Sequence, residues 1–381
     1  MFRAIELARF GTGRTNPNPL VGAVIVKNNE IIGEGWHHAY GELHAEREAL
    51  KNCYQNGNNP EGATIYVTLE PCCHFGKQPP CTHALVESKI AKVVVGSRDP
   101  NPLVHGKGNS YLREHGILVE EDFLRSECDS LNPIFFYYIQ KNLPFVALKY
   151  AMTLDGKIAC KSGESKWISN EKSREYVQAL RNCYSGILAG IGTVLKDDPM
   201  LNCRLQNESG EMTGRNPVRI ILDSNLKIPL ESKIVKTAHE IRTIVACANG
   251  LLRSARNDKT GSTVTATKQA FLEKKTALEN AGVEVLEVRA EPHVDFFELM
   301  KILAEKKIDS VLVEGGGEVH YSALKSGLVN KIYAFVAPKI FGGIAKSPVG
   351  GEGVNIPSEA FNFRLKKTTR FDDDILLEYG N

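Results

Sequence analysis

The chain has 381 residues, and at roughly 150 residues per domain it is too long for a single ordinary domain. Hydrophobic residues make up 42% and charged residues 24%, which excludes a disordered or fibrous chain. Forty-seven Lys and Arg against 45 Asp and Glu leave a net charge of +2, which argues against a nucleic-acid backbone or an anionic membrane as the main partner.

In chain order, Ala4 to Phe10 predicts a short helix stopped by Gly11 and Gly13. Val21 to Val26 and Ile31 to Gly35 read as a hairpin around Asn28-Asn29, because Asn tolerates the backbone of a tight reversal. Leu43 to Asn56 predicts a helix, and Ala63 to Leu69 a strand that runs into Pro71-Cys72-Cys73-His74. A helix from Thr82 to Ser88 leads to the β-branched run Lys92 to Val95, typical of a covered strand. The pattern lapses between Leu131 and Leu143, where a boundary divides the chain into 1–143 and 144–381.

A second α/β series follows: strand Phe145 to Ala151, helix Glu171 to Asn182 capped by Ser169 or Asn170, and strands Gly186 to Gly190, Val218 to Leu222 and Thr243 to Ala246. Then come strand Ser310 to Val313, a helix behind Gly315-Gly316-Gly317, strand Ile332 to Val336, and a closing strand near Ile375 to Glu378. The glycine-rich stretch Phe341 to Gly353 reads as a mobile loop. Alternation of strands and helices makes the whole chain α/β.

The nine cysteines are an odd number without a repeating spacing, and no apolar run reaches the roughly 18 to 20 residues of a spanning helix. Met1 to Glu6 does not resemble a signal peptide. The expectation is a cytoplasmic chain with reduced thiols, in which clustered cysteines are candidates for metal or chemistry.

Only Cys72, Cys73 and Cys81 cluster, and they join His44-Ala45-Glu46 as the first candidate site. One histidine and two thiolates leave the fourth tetrahedral position of a zinc ion to water, as in catalytic sites. Zinc lowers the pKa of such water from 15.7 to about 7. Glu46 then stands beside the metal as the proton carrier of a hydrolytic deamination. Cys72 and Cys81 are the preferred thiolates, with Cys73, His74 and His83 as competing ligands. The usual deaminase signature is Pro-Cys-x-x-Cys, whereas eight residues separate Cys72 from Cys81 here.

The extended loop Pro71-Cys72-Cys73-His74-Phe75-Gly76-Lys77-Gln78-Pro79-Pro80-Cys81 resembles that of the pyrimidine deaminases of riboflavin biosynthesis. Asn16 to Gly22 and Gly33 to His37 match the same family, and Cys73 stands where that family usually has Ser. The resemblance continues through Leu148 to Lys157, Ser162 to Ile168, Gly192 to Pro199, Leu222-Asp223-Ser224 and Val311 to Gly317, the family's reductase half. It implies a cytidine-deaminase-like layered sheet followed by a dihydrofolate-reductase-like α/β domain. It also implies a zinc-dependent deamination followed by an NADPH-dependent reduction, which opens the ribose of a phosphoribosylated pyrimidine and adds hydride at its first carbon.

By position, the resemblance places Asn18, His37, His74 and Lys77 on the deaminase substrate, and one zinc ion on His44, Cys72 and Cys81. In the reductase it places Ser165, Arg181, Leu201, Arg204 and Glu314 on the sugar phosphate. Ala151, Trp167, Thr193, Asp197, Ser224, Gly316, Gly317, Glu318, Val319, His320, Tyr321 and Ser322 would line NADPH. Taken alone, the glycine run is more often a tight turn than a phosphate site, and no Gly-x-Gly-x-x-Gly opens a Rossmann unit. Without the resemblance, Arg181 reads as a solvated helix face and Trp167 as a core anchor, while Asp155 is equally an orienting group or a turn residue.

The expected partners are small phosphoribosylated pyrimidines and, as an open alternative, a second copy of the chain, with neither nucleic acid nor membrane. A competing reading is a nucleic-acid base deaminase fused to an unrelated domain. Residues 1–143 hold 14 Lys and Arg against 16 Asp and Glu, a net of −2, which speaks against it. A non-catalytic binding protein on a deaminase scaffold is disfavoured by His44, Glu46, Cys72 and Cys81 standing together.

Overall fold

The computed structural model describes residues 1–75, 79–102, 104–207, 209, 211–248, 261–289 and 293–381, with side chains of 261–267 left aside. The chain forms two compact units, Met1–Leu143 and Pro144–Asn381. In the first, α1 (Phe2–Arg9) buries Ala4, Ile5, Leu7 and Ala8, and β1 (Gly22–Lys27) turns back through Asn28 and Asn29 into β2 (Glu30–Trp36). Both asparagines have positive φ, 52° and 65°, as a tight reversal needs. Then follow α2 (Ala45–Gln55), β3 (Thr64–Leu69), α3 (Cys81–Glu87) and β4 (Lys92–Ser97). The unit closes with α4 (Lys107–Glu114), β5 (Leu118–Glu120), α5 (Arg125–Asp129) and α6 (Pro133–Lys141).

The sheet order is β2-β1-β3-β4-β5, antiparallel at β1 and parallel from β3 to β5. Its covered face packs Ile25, Ile65, Val67, Val93 and Val95 against Ala49, Leu50, Leu85 and Leu112. Gly35 lets α2 lie directly on β2, since a Cβ there would come within 2.3 Å of the Ala49 nitrogen. That contact fixes the height at which α2 begins, and with it His44.

The lapse expected at Leu131 to Leu143 is instead helical. In α6, Pro133 takes a first-turn position and Phe135 enters the core. The aromatic run obscures the helical period, and Asn132 anchors the segment by accepting from Leu20 N at 2.7 Å and donating to Leu20 O at 2.8 Å.

The second unit runs β6 (Phe145–Thr153), α7 (Glu171–Cys183), β7 (Gly186–Gly190), α8 (Ile191–Asp197), β8 (Val218–Leu222), α9 (Lys233–Lys236), β9 (Thr243–Ala248) and α10 (Gly261–Asn280). It continues with β10 (Val283–Val288), α11 (Phe296–Glu305), β11 (Ser310–Gly315), α12 (Gly317–Lys325), β12 (Val329–Ala337), β13 (Arg364–Phe371) and β14 (Asp374–Gly380). Nine strands form one sheet in the order β10-β9-β8-β7-β11-β6-β12-β14-β13. It is parallel from β10 to β12 and antiparallel across β14 and β13. Asn170 caps α7 through Ser173 N, while its own N–H donates to the buried Asp374.

The stretch Phe341 to Gly353 has neither helix nor strand, but it is tied down rather than free. Ile158 N donates to Lys346 O, Gly350 N to Gly317 O, and Phe341 N and Gly342 N to the Asp155 carboxylate. Hydrogen bonds from Thr153 and from these backbone groups hold that carboxylate at about 2, so it remains an acceptor at any ordinary pH.

Arg219 is 0% exposed and faces no carboxylate in its hydrogen-bonding shell. It donates to the carbonyls of Met200, Ile234, Thr237 and Ile241 and to the hydroxyls of Thr237 and Thr243. Removing a buried donor set of this size leaves several acceptors unsatisfied, a loss of about 3 kcal/mol or more. Arg219→Met is therefore expected to lower the denaturation midpoint of the second unit while zinc content is retained, with urea unfolding and metal analysis as the two measurements.

Candidate functional sites

In the first unit, two strand–helix connections converge. Cys72 follows β3, Cys81 is the first residue of α3, and His44 is the N-cap of α2. The His44 Nδ1 atom lies 3.5 Å from Cys72 Sγ and 3.4 Å from Cys81 Sγ, and the three ligand atoms all fall within 4.8 Å of one another. Bond lengths of about 2.3 Å to sulfur and 2.0–2.1 Å to nitrogen give a tetrahedral zinc site an S···N edge of about 3.5 Å. The donor set therefore fits zinc in both chemistry and spacing. Cys73, His74 and His83 do not belong to this group; the His83 ring stacks on Tyr111 instead.

The Cys72 thiol is pulled down by hydrogen bonds from Cys81 and His44, whereas the Cys81 thiol, almost wholly buried, is pushed up. The Cys81 N–H also points at Cys72 Sγ, at 3.4 Å. Glu46, in the first turn of α2 and 3% exposed, has its carboxyl pushed up by burial and by the adjacent Cys72.

His44, Glu46 and Cys72 form part of the wall of a cavity of about 260 Å³ together with Asn18, His37 and His74. Burial pushes the His37 ring below its ordinary value, and its Nδ1 donates to Leu43 O at 2.9 Å. That tautomer makes His37 Nε2 the acceptor for Asn18 Nδ2 at 3.1 Å, leaving the Asn18 carbonyl oxygen uncommitted to His37. His74 Nδ1 is buried without a hydrogen-bond partner. Lys77 lies outside the described residues.

The wall also includes Tyr40, Glu42, Glu70, Asp99, Asn101 and Phe135, which the sequence reading passed over. Burial raises the Asp99 carboxyl to about 6. Glu70 accepts from the N–H groups of Gly106, Gly108 and Asn109, so it anchors the start of α4. Glu70 immediately precedes the Pro71-Cys72 motif, a signal that was available; Asp99 and Phe135 reach the cavity only through the fold.

The second unit holds a cavity of about 680 Å³ lined by Ala151, Ser165, Thr193, Asp197, Ser224, Glu314, Gly316, Gly317, Glu318, Val319, His320 and Ser322. Gly316 has φ 94°, a conformation that releases the chain from β11 into α12 with the helix N-terminus facing the cavity. Lys149, Asp223, Lys227 and Lys346 also line it and were not singled out from sequence.

Five expected residues stand outside these walls. The Arg181 guanidinium is bidentate on Glu314, at 2.7 and 2.8 Å, and gives a third bond to Asn202 O. Arg204 is exposed and donates to Asn202 Oδ1. The Leu201 side chain is core, which leaves its backbone as the part able to face a ligand. Trp167 is 63% exposed with the Arg174 guanidinium 4.5 Å from its ring, so it is not a core anchor. Tyr321 packs edge-on against Phe361 and donates to Gly353 O.

Burial alone would raise the Glu314 carboxyl, but Arg181 and then Lys149, 3.8 Å away, overcome it and hold the group at about 2. Burial pushes the Lys149 ammonium down.

Together the units define a zinc-deaminase region joined to a reductase domain. Residues 1–97 match the cytidine and deoxycytidylate deaminase zinc-binding region, and residues 144–377 match the RibD C-terminal domain. The riboflavin biosynthesis protein RibD of Actinobacillus pleuropneumoniae is 48% identical over 381 residues, which is 100% of this chain and 94% of that one. The crystal structure of a diaminohydroxyphosphoribosylaminopyrimidine deaminase/5-amino-6-(5-phosphoribosylamino)uracil reductase from Thermotoga maritima is 40% identical. It superposes with a TM-score of 0.83 and covers 100% of this chain and 97% of its own. Acinetobacter baumannii RibD is 35% identical with a TM-score of 0.84 over the same shares. The chain belongs to the RibD family of bifunctional riboflavin biosynthesis enzymes, and it carries both the deaminase and the reductase.

Two measurements probe these geometries. Cys72→Ser and Cys81→Ser should each lower zinc from one per chain to well below it, whereas Cys73→Ser should retain it, as read by elemental analysis. The Glu314 carboxyl is depressed in the folded state, so its contribution to stability is full above its unfolded value near 4.5 and is lost as pH falls toward 2. Glu314→Gln should therefore be destabilised most above pH 4.5, and the gap to the parent should shrink toward pH 2 in denaturation midpoints.

Proposed function

We propose that the first unit hydrolyses the ring amine of diaminohydroxyphosphoribosylaminopyrimidine, and that the second reduces the ribosyl side chain of the resulting 5-amino-6-(5-phosphoribosylamino)uracil to ribityl with NADPH. The observation that carries this reading is a buried carboxylate, Glu46, beside one imidazole and two thiols at the spacing of a tetrahedral zinc site. His44, Cys72 and Cys81 hold the ion, which when bound makes water nucleophilic at neutral pH. Glu46 takes a proton from the attacking water and gives it to the ring nitrogen, then takes the remaining proton from the hydroxyl on the tetrahedral carbon and gives it to the amine, which leaves as ammonia while the carbonyl forms. Its buried setting raises its basicity toward the working pH, as such a role requires. The Asn18 carbonyl oxygen and His74 Nδ1 meet the polar edge of the pyrimidine, with His37 orienting Asn18. Lys77 is the partner for the substrate phosphate.

In the second unit the cofactor supplies hydride, and the protein positions and polarises. Lys149 is the proton donor that the sequence did not identify. Its ammonium lies at the cavity wall beside Glu314, where it can donate to the ribose oxygen released as the ring opens. Glu314 orients the sugar, and Arg181 holds Glu314 in place rather than meeting the phosphate directly. Ser165 and the exposed Arg204 remain for the phosphate. The glycine turn and the first turn of α12 receive the dinucleotide's pyrophosphate.

Among the described residues no helix is long and apolar enough to cross a membrane, and we place the chain in the cytoplasm with small phosphoribosylated pyrimidines as its partners.

Supplying the diaminopyrimidine with NADPH should release ammonia and then consume the reduced nicotinamide absorbance. Glu46→Gln is expected to slow ammonia release by about 10²–10⁴-fold. It should keep one zinc per chain and leave reduction of supplied uracil intermediate intact. Surviving deamination in that variant overturns the assignment of Glu46.

A further inference from the structure

His44 and the two thiols of the first unit come from different elements, and a tetrahedral metal needs all three in register. Cys72 and Cys81 are joined to each other by backbone donors. Cys81 N–H points at Cys72 Sγ at 3.4 Å, and Thr82 N donates to Cys72 O at 3.2 Å. His44 and Glu46 belong to the start of α2, which neither of those bonds touches.

The residue after Glu46 is Arg47, a cation in the first turn of a helix, where the macrodipole disfavours it. Its guanidinium crosses to the segment ahead of α3, where Nε donates to Pro79 O at 3.2 Å and Nη2 to Pro80 O at 3.0 Å. Both acceptors belong to prolines, which have no N–H and offer a partner only their carbonyls. A planar guanidinium meets two successive acceptors with one rigid group, and its charge strengthens both bonds. Pro80 is the N-cap of α3 and makes no side-chain cap bond, and Cys81 follows as the first helical residue. Arg47 therefore fastens the residue beside Cys81 to the residue beside Glu46. On the other stem of the loop, the Phe75 ring lies edge-on to His83, with centroids 5.8 Å apart. That stem is tied to α3, whereas Arg47 ties the loop to α2.

We propose that Arg47 is a positioning residue of the metal centre: it fixes the start of α3 against the start of α2, and so sets Cys81 Sγ at ligating distance from His44 before the ion binds. The inference rests on His44, Cys72 and Cys81 holding zinc. Groups just outside a metal's ligands set its affinity by orienting those ligands, and a ligand ordered in advance spares binding the cost of ordering it.

The test is competition for zinc between a chromophoric chelator and the full-length chain, in the parent, Arg47→Ala and Arg47→Lys, with urea midpoints of the zinc-free proteins measured alongside. In Arg47→Ala, zinc affinity should fall by about 10–100-fold. Arg47→Lys keeps the charge but not the two-pronged donor, so it should recover only part of that loss. Unchanged zinc affinity in Arg47→Ala overturns the proposal even if the midpoint falls, because a residue that merely stabilises the fold moves the midpoint alone. Retained zinc affinity with a raised KM for deamination assigns Arg47 to the substrate and overturns it as well. If Arg47→Ala does not fold, Arg47→Lys decides: affinity below the parent's supports the two-carbonyl clamp, and affinity equal to the parent's overturns it. A parent chain that takes up no zinc overturns the metal assignment itself, and this inference with it.

Discussion

A parallel strand must leave its sheet by a loop, and the helix that follows begins with backbone N–H groups that have no partner within it. Both sites of this protein occupy that junction. In the first unit, Cys72 follows β3, Cys81 opens α3 and His44 caps α2, so two strand–helix junctions place their side chains at one point. In the second, β11 passes through Gly316 into α12, and the free end of that helix faces the cavity of about 680 Å³. The sheets fix where the strands end, and everything else in the sites hangs from those ends.

Buried charge is treated differently in the two units. Glu46 is buried beside the Cys72 thiol and therefore more basic than an ordinary carboxylate, which is useful to a proton carrier. Glu314 is clamped by Arg181 and Lys149 and stays ionised, which suits a group that holds a substrate and keeps an ammonium aligned. Breaking such a pair from one side leaves the other charge buried alone, the costly case for ionic clusters. Arg219 meets the same problem without any carboxylate, by exhausting its donors on carbonyls and hydroxyls.

Motif residues close in sequence were legible, because the backbone keeps them close in space. His44 and Glu46 share one helical turn, and the glycines at 315–317 share one loop. Strand positions such as Val218–Leu222 were also legible, since β-branched and apolar runs between turn residues have few other uses. The helix Pro133–Lys141 was not, because its aromatic run shows no clear period and only the core contact of Phe135 selects the helix. Lys149 escaped notice for a related reason: a lysine within an apolar strand reads as an edge residue until burial beside Glu314 gives it a role.

The sequence by itself determined one histidine and two cysteines whose side chains gather at a spacing that fits zinc, a carboxylate beside them, the division near residue 143, and the glycine turn ahead of a helix. Each is a local pattern, with its residues fixed relative to one another by a few covalent bonds. Tertiary structure alone decided that Arg181 serves Glu314 instead of facing the cavity, and that Lys149 lies beside the same carboxylate. Those outcomes depend on burial and on partners more than a hundred residues away, such as the 133 that separate Arg181 from Glu314, and no local pattern encodes a desolvation energy or a distant counter-charge.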